Sequence, residues 1–222
     1  MVNLEKSQPP PQCLEKEKEK VNGDYKCGDV LERIKEDFNN KCYICEYKEP
    51  PSINVEHFLP HRGDKDLKFD WNNLFWSCAH CNNTKSDRFD NILNCTNPEH
   101  DVENWMKYEM KPLAGEEVKI TPLNEDEMVE TTARLLMSVY NGTTPLKVIE
   151  SGNIRKVLLK ELQDFQGQLL VYYEDNIDDD ERRYCQKKIK EHLKKSSAFT
   201  AFKRWIIKDN QSFKQDFEQY LD

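Results

Sequence analysis

Apolar residues recur along the chain at two different spacings, and the spacing predicts where helices and strands lie. Val30, Leu31, Ile34 and Phe38 fall at three- and four-residue steps behind Asp29, a good capping residue, and Asn39-Asn40 ends the run, so a helix is predicted there. Residues 53–58 are short, β-rich and stopped by Pro60. Residues 61–70 read as a polar loop, 71–76 as a buried aromatic turn, and 79–87 as a helix. Residues 105–110 and 117–120 flank Gly115 as a small hairpin. From Glu125 onward the period becomes helical: residues 128–140, closed by Asn141-Gly142, then about 146 to 173, an acidic cluster at 174–181, and basic helices whose apolar positions end at Phe213, Phe217, Tyr220 and Leu221. The first 23 residues or so, with three consecutive prolines from Pro9 and alternating charge at 15–20, read either as a mobile arm or as a solvated helix. The expected class is α+β, mainly α, in three parts: an N-terminal arm (1–28), a site-bearing module (29–98), and an acidic connector with a helical C-terminal half (99–222).

Composition narrows this. Only 37% of the 222 residues are apolar and 33% are charged, so the core is modest and much helical surface is solvated. No stretch approaches the roughly 18 apolar residues of a membrane span. The first ten residues lack the basic-then-apolar order of a secretory signal, which leads to the expectation of a soluble, intracellular protein. A net charge of −8 argues against gripping a polyanion by bulk attraction, yet residues 182–208 hold ten bases and one acid. That tract has three readings: a solvated face opposite Ile189, Leu193, Phe199, Phe202 and Trp205, a nucleic-acid contact, or a dock for an acidic surface. Residues 99–130, with ten acids and three bases, would repel a phosphate backbone.

The eight cysteines add chemistry. Cys42/Cys45 and Cys78/Cys81 are two Cys-x-x-Cys pairs with 32 residues between them. Each pair aims two thiolates at one ion, and a matched second pair in a chain without a signal points to a tetrahedral four-cysteine zinc site. Cys13, Cys27, Cys95 and Cys185 have no such partner.

Between the zinc pairs lie Glu56-His57-Phe58-Leu59-Pro60-His61 and Asn72-Asn73-Leu74, and beside the last pair Asn82-Asn83-Thr84-Lys85. Glu56 and Asn82 offer oxygens suited to Mg²⁺ or Mn²⁺, and a neutral His57 takes a proton from water near pH 7. Attack on a phosphodiester needs both: a deprotonated water on one side and a cation beside the leaving oxygen on the other. His61, Arg62 and Lys85 stand as phosphate contacts or equally as solvated surface charge. Asn82 also has a bland reading, as the cap of the helix after Cys81.

Cys-x-x-Cys, Glu56-His57-x-x-Pro60, Asn73-Leu74 and Cys-x-x-Cys-Asn-x-x-Lys in this order resemble the HNH nucleases of the ββα-metal fold, over residues 42 to about 87. The resemblance implies that Glu56 and Asn82 hold a catalytic divalent ion, that His57 is the general base, that Asn73 steadies the base-bearing loop, and that zinc is purely structural. The family often carries Asp or His at the position of Glu56 and His at that of Asn82. Both departures keep a metal-capable atom, and the longer glutamate bears on metal choice and geometry. The longer pattern is similar to HNH proteins encoded beside an ATPase in bacterial anti-phage systems of the Septu type and in retron-associated relatives. That likeness implies an ATPase partner, a bacterial cytoplasmic setting and DNA cleavage. The alternatives are an RNA-directed HNH nuclease and a catalytically silent, zinc-stabilised adapter that binds nucleic acid or a partner.

Overall fold

The computed structural model describes residues 1–221. The helix expected behind Asp29 is α2 (Gly28–Asp37), preceded by α1 (Gln12–Lys18). Asn39 and Asn40 both take left-handed φ values, 52° and 53°, which asparagine tolerates better than most residues, and they turn the chain into the first thiol pair.

β1 (Ile53–His57) pairs antiparallel with β2 (Leu74–Cys78), in a register running from Ile53 opposite Cys78 to His57 opposite Leu74. The aromatic turn expected at 71–76 is corrected here: a single 3₁₀ turn, Trp71–Asn73, leads directly into a strand. Every β2 residue is buried, so the alternation that marks a half-exposed strand is absent from the sequence. The polar stretch read as loop contains a short helix, α3 (Lys65–Phe69), because the Asp64 carboxylate accepts from the Asp66 and Leu67 amides. Cys78 ends β2 and caps α4 (Ala79–Lys85), which packs on both strands.

The expected hairpin is β3 (Met106–Glu109) with β4 (Lys119–Pro122), its connection passing through Gly115 at φ +86°. Five helices follow: α5 (Glu127–Asn141), α6 (Pro145–Tyr172), α7 (Asp179–Leu193), α8 (Thr200–Asp209) and α9 (Gln211–Phe217). Among the described residues, no helix is long and apolar enough to cross a membrane.

One apolar cluster runs through Leu4, Val30, Phe75, Ile120, Leu136 and Phe202, and a smaller one joins Phe165, Leu169, Ile189, Leu193, Ile207 and Phe217. The C-terminal half also satisfies the main chain of the first thiol knuckle. Tyr140 donates its hydroxyl to the Cys45 carbonyl at 2.8 Å, the Phe199 amide donates to the Glu46 carbonyl at 3.2 Å, and the Ala201 amide to the Glu46 carboxylate at 3.0 Å. A buried knuckle needs such partners, since it has no ladder of its own to supply them.

The first residues differ from a mobile arm. Met1, Val2, Leu4 and Leu14 are buried, and Lys6 lies 3.9 Å from the Trp71 ring centre while donating to the Trp71 and Leu74 carbonyls. Cys13 and Cys27, to which the motif pattern gives no partner, are joined as a disulfide. The pairing is tertiary: α1 and α2 pack together and bring the two thiols into reach, a proximity that 14 residues of separation do not reveal.

Candidate active site

The two thiol pairs meet. The sulfurs of Cys42, Cys45, Cys78 and Cys81 all lie within 4.8 Å of one another, and Cys45 and Cys78 are 3.9 Å apart. Zinc–sulfur bonds of about 2.3 Å in a tetrahedron place sulfurs about 3.8 Å apart, so the cluster fits zinc in size as well as in donor type. All four are buried. Burial pushes the Cys45 and Cys81 thiols well up, while hydrogen bonds from the other three thiols outweigh burial at Cys42 and hold it well down. A cation is the natural means of keeping four such sulfurs ionised together. His80, although inside the second pair, faces elsewhere: its Nε2–H donates to the Val139 carbonyl at 2.8 Å and its Nδ1 lies 2.8 Å from Glu150.

Past the end of β1 opens a cleft of about 490 Å³, lined among others by His57, Pro60, His61, Arg62 and Asn82. His57 is half-buried, with Tyr25 and His61 edge-on to its ring at 4.5 and 4.7 Å between centroids. Its Nε2 lies 3.0 Å from the Lys68 carbonyl. A carbonyl only accepts, so Nε2 carries the proton, and the neutral ring keeps the lone pair of Nδ1. Burial holds the imidazole below its usual range, against the pull of the Lys68 carbonyl. The ring is thus neutral at pH 7 and able to take a proton.

Asn73 ties down the chain that follows His57. Its Oδ1 accepts from the Leu59 amide at 2.7 Å, its Nδ2 donates to the Leu59 and Leu67 carbonyls at 2.9 and 3.0 Å, and its own carbonyl receives the Phe58 amide at 2.8 Å. Asn82 stands on α4, and its side-chain amide has no hydrogen-bond partner among the described residues.

Glu56 is placed differently. Successive strand residues point to opposite faces, so the residue beside His57 turns inward. Its carboxylate is buried, receives the Tyr43 hydroxyl, and lies 3.7 Å from the Lys85 ammonium. The second oxygen, Oε2, is buried with no well-aligned hydrogen bond among the described residues, and the nearby Ser77 hydroxyl acts on the carboxyl more weakly than Tyr43. Burial raises the group to about 7, against the opposing pull of Lys85. Of the three residues expected to converge, His57 and Asn82 share the cleft wall, and Glu56 sits behind it.

Lys85 also lines the cleft, but it is not solvated surface charge: its ammonium is buried and donates to the Phe58 carbonyl at 2.9 Å and the His57 carbonyl at 3.4 Å. Those carbonyls leave the strand at its end, where no neighbour strand serves them. Arg62 remains on the rim, its guanidinium 3.8 Å from Asp90, and His61 accepts the Gly63 amide on Nδ1 at 3.1 Å. Sequence reasoning missed Tyr25, Tyr43 and the Lys68 carbonyl. The tyrosines carry no motif, and a main-chain oxygen has no sequence signal at all.

Two comparisons bear on this arrangement. A family model described as HNH endonuclease matches residues 42–88, a span that contains both thiol pairs and most of the cleft wall. The Septu protein PtuB of Bacillus thuringiensis is 35% identical to this chain over 85 residues, which are 36% of the chain and 33% of that protein. The match thus spans a third of the relative's length.

Proposed function

We propose that this chain, an HNH-family protein through residues 42–88 and similar to the Septu protein PtuB, is a metal-dependent endonuclease that hydrolyses phosphodiester bonds of DNA. The observation that carries the reading is His57, fixed by the Lys68 carbonyl with Nδ1 unprotonated, in one cleft with the Asn82 amide, which has no partner among the described residues. His57 removes a proton from water at Nδ1. Asn73 keeps the chain after His57 in place through both edges of Leu59, and His61 and Arg62 offer donors to phosphate oxygens from the rim. The oxygen that the cleft offers a hard divalent cation, Mg²⁺ or Mn²⁺, is the Asn82 amide, while Glu56, expected beside it, is buried behind the wall and would reach an ion only by turning outward. When bound there, the ion supplies charge neutralisation at the phosphate and the leaving oxygen. Zinc at the four thiolates does no chemistry and holds β2 and α4 in mutual position.

The name of the relative supports the finer proposal, in line with the resemblance stated above: the chain is the nuclease effector of a bacterial anti-phage complex, acting with an ATPase subunit in the cytoplasm. An acidic chain then shares the handling of its substrate with a partner. The test is cleavage of plasmid, single-stranded DNA and RNA by the purified chain, alone and with the proposed ATPase subunit, in Mg²⁺ and in Mn²⁺. Cleavage of DNA that His57→Ala abolishes is expected. If every substrate survives in every combination, the chain is the silent zinc adapter instead, and cleavage confined to RNA moves the substrate assignment.

A further inference from the structure

The fold sorts eight of the ten bases of residues 182–208 into two sets, and Lys188 and Lys195 belong to neither. One set is spent inside the molecule. Arg182 donates to the Tyr172 and Glu174 carbonyls, buried Lys203 meets Glu161 at 2.7 Å, buried Arg204 meets Glu103 at 2.9 Å, and Lys208 meets the same glutamate at 2.8 Å. Three of these stitch α8 to the connector and to α6, Arg182 ties the start of α7 to the end of α6, and no ligand is needed to explain them.

The other set lies on α7. Arg183, Lys187, Lys190 and Lys194 follow one another at four-, three- and four-residue steps, which places them in one stripe along the helix, while Cys185, Ile189 and Leu193 are buried on the far face. The stripe forms one wall of a groove of about 450 Å³, and Gln219 and Tyr220 contribute to the other. Lys190 lies 4.1 Å over the Tyr220 ring, which holds its ammonium at the groove. Arg183 and Lys194 have one acid each, Asp180 at 2.5 Å and Glu191 at 2.6 Å, both in exposed pairs that exchange cheaply for another anion. Lys187 and Lys190 have no ion-pair partner among the described residues. Complementing the helix dipole explains bases only in the last turn, which leaves Arg183 and Lys187 without that reason.

We propose that this α7 groove binds the phosphodiester backbone of the nucleic acid that the cleft cuts, an inference that rests on the nuclease reading above. Eleven helical residues span about 16 Å, the rise of roughly five phosphates along one strand of a duplex. An acidic protein face is the rival occupant. Protein interfaces centre on buried apolar anchors and are depleted in lysine, whereas this groove is lined by four bases, two glutamines, one acid (Glu191, already paired with Lys194) and a single ring. A local grip of this kind gives a chain of net charge −8 a means of holding a polyanion.

The test uses the full chain carrying His57→Ala, without added Mg²⁺ or Mn²⁺, so that binding is read apart from cleavage. Fluorescein-labelled DNA duplex, single-stranded DNA and single-stranded RNA of equal length are the probes, titrated at several salt concentrations. Lys187→Glu with Lys190→Glu is expected to weaken binding at least about tenfold at low salt and to lower the slope of log K against log salt by about 2. Lys111→Glu with Lys119→Glu, on exposed residues of the hairpin connection and β4, changes net charge equally and is expected to leave most of the affinity. Which probe loses most identifies the nucleic acid. Unchanged affinity and slope in the stripe variant overturn the proposal, whether or not binding of the ATPase partner is lost. So does an equal loss in the hairpin variant, or an absence of binding by the chain with its groove intact. If the groove fails while His57-dependent cleavage persists, the nuclease reading stands. If binding passes and no cleavage occurs, only that reading fails.

Discussion

The thiol centre and the cleft are built on the same short strand pair and helix, yet they are finished in opposite ways. At the thiol centre four like donors face one another in a dry interior, and the surrounding carbonyls are satisfied from distant helices. At the cleft the donors differ in kind, stand half-open to solvent, and include an amide with no hydrogen-bond partner among the described residues. A centre that closes on itself holds a fold together. A wall that leaves valences open can act on a visitor, and its precision is borrowed from the closed centre beside it.

The difference can be broken from either side. The largest effect is expected from Cys78→Ser or chelation of zinc. Structural zinc contributes on the order of 10 kcal/mol, comparable to the roughly 5–15 kcal/mol of a whole domain. The cooperative thermal transition of the module should therefore vanish, read by tryptophan fluorescence of Trp71 and Trp76 together with zinc content. His57→Ala should do the reverse. Cleavage is expected to fall about 100- to 10 000-fold, while loss of one hydrogen bond lowers the melting temperature by only about 2–4 °C. A folded, metal-free Cys78→Ser protein, or an unfolded His57→Ala protein, would erase the distinction.

Intermediate effects lie between the two regions. Removing the Cys13–Cys27 bridge as a double serine variant releases a loop of about 15 residues and should cost about 3 kcal/mol. The loss should appear in the urea midpoint under oxidising conditions and disappear when both proteins are measured in reductant. Asn73→Ala strands the polar groups of Leu59 and should cost about 1–3 kcal/mol, read by the same denaturation. Asn73→Asp should not restore them, since a carboxylate accepts from Leu59 but cannot donate to two carbonyls. The last effect is a pH dependence and concerns Lys6, which burial against Trp71 pushes down to about 7. An unfolded lysine stays protonated to about 10.4. Between these values the unfolded chain holds the extra proton, so the Lys6 contribution to stability rises with pH across that window, by at most about 1.4 kcal/mol per unit. Lys6→Met should flatten that slope in pH-dependent melting.

Legibility followed the range of the interaction. Helix α2, the second hairpin and the long C-terminal helices are visible as periodicity, because each buries one face. Strand β2 is not, because it buries both. At the site, His57, Asn73 and Asn82 can be picked out by residue type and order. The Lys68 carbonyl that sets the His57 tautomer cannot, nor can Tyr43 on Glu56, since each is a partner chosen by the packing.

By itself the order of residues determined the ligand chemistry: two short-spaced thiol pairs, an acid-imidazole dipeptide and a following amide, since donor type and local spacing are properties of a few neighbouring residues. Which way those side chains face was left to the tertiary structure. Strand alternation turned Glu56 inward, unserved carbonyls drew the Lys85 ammonium with it, and helix packing consumed four of ten clustered bases while leaving the α7 stripe in water. Each of those outcomes depends on polar groups far away in sequence that must find partners once water is excluded.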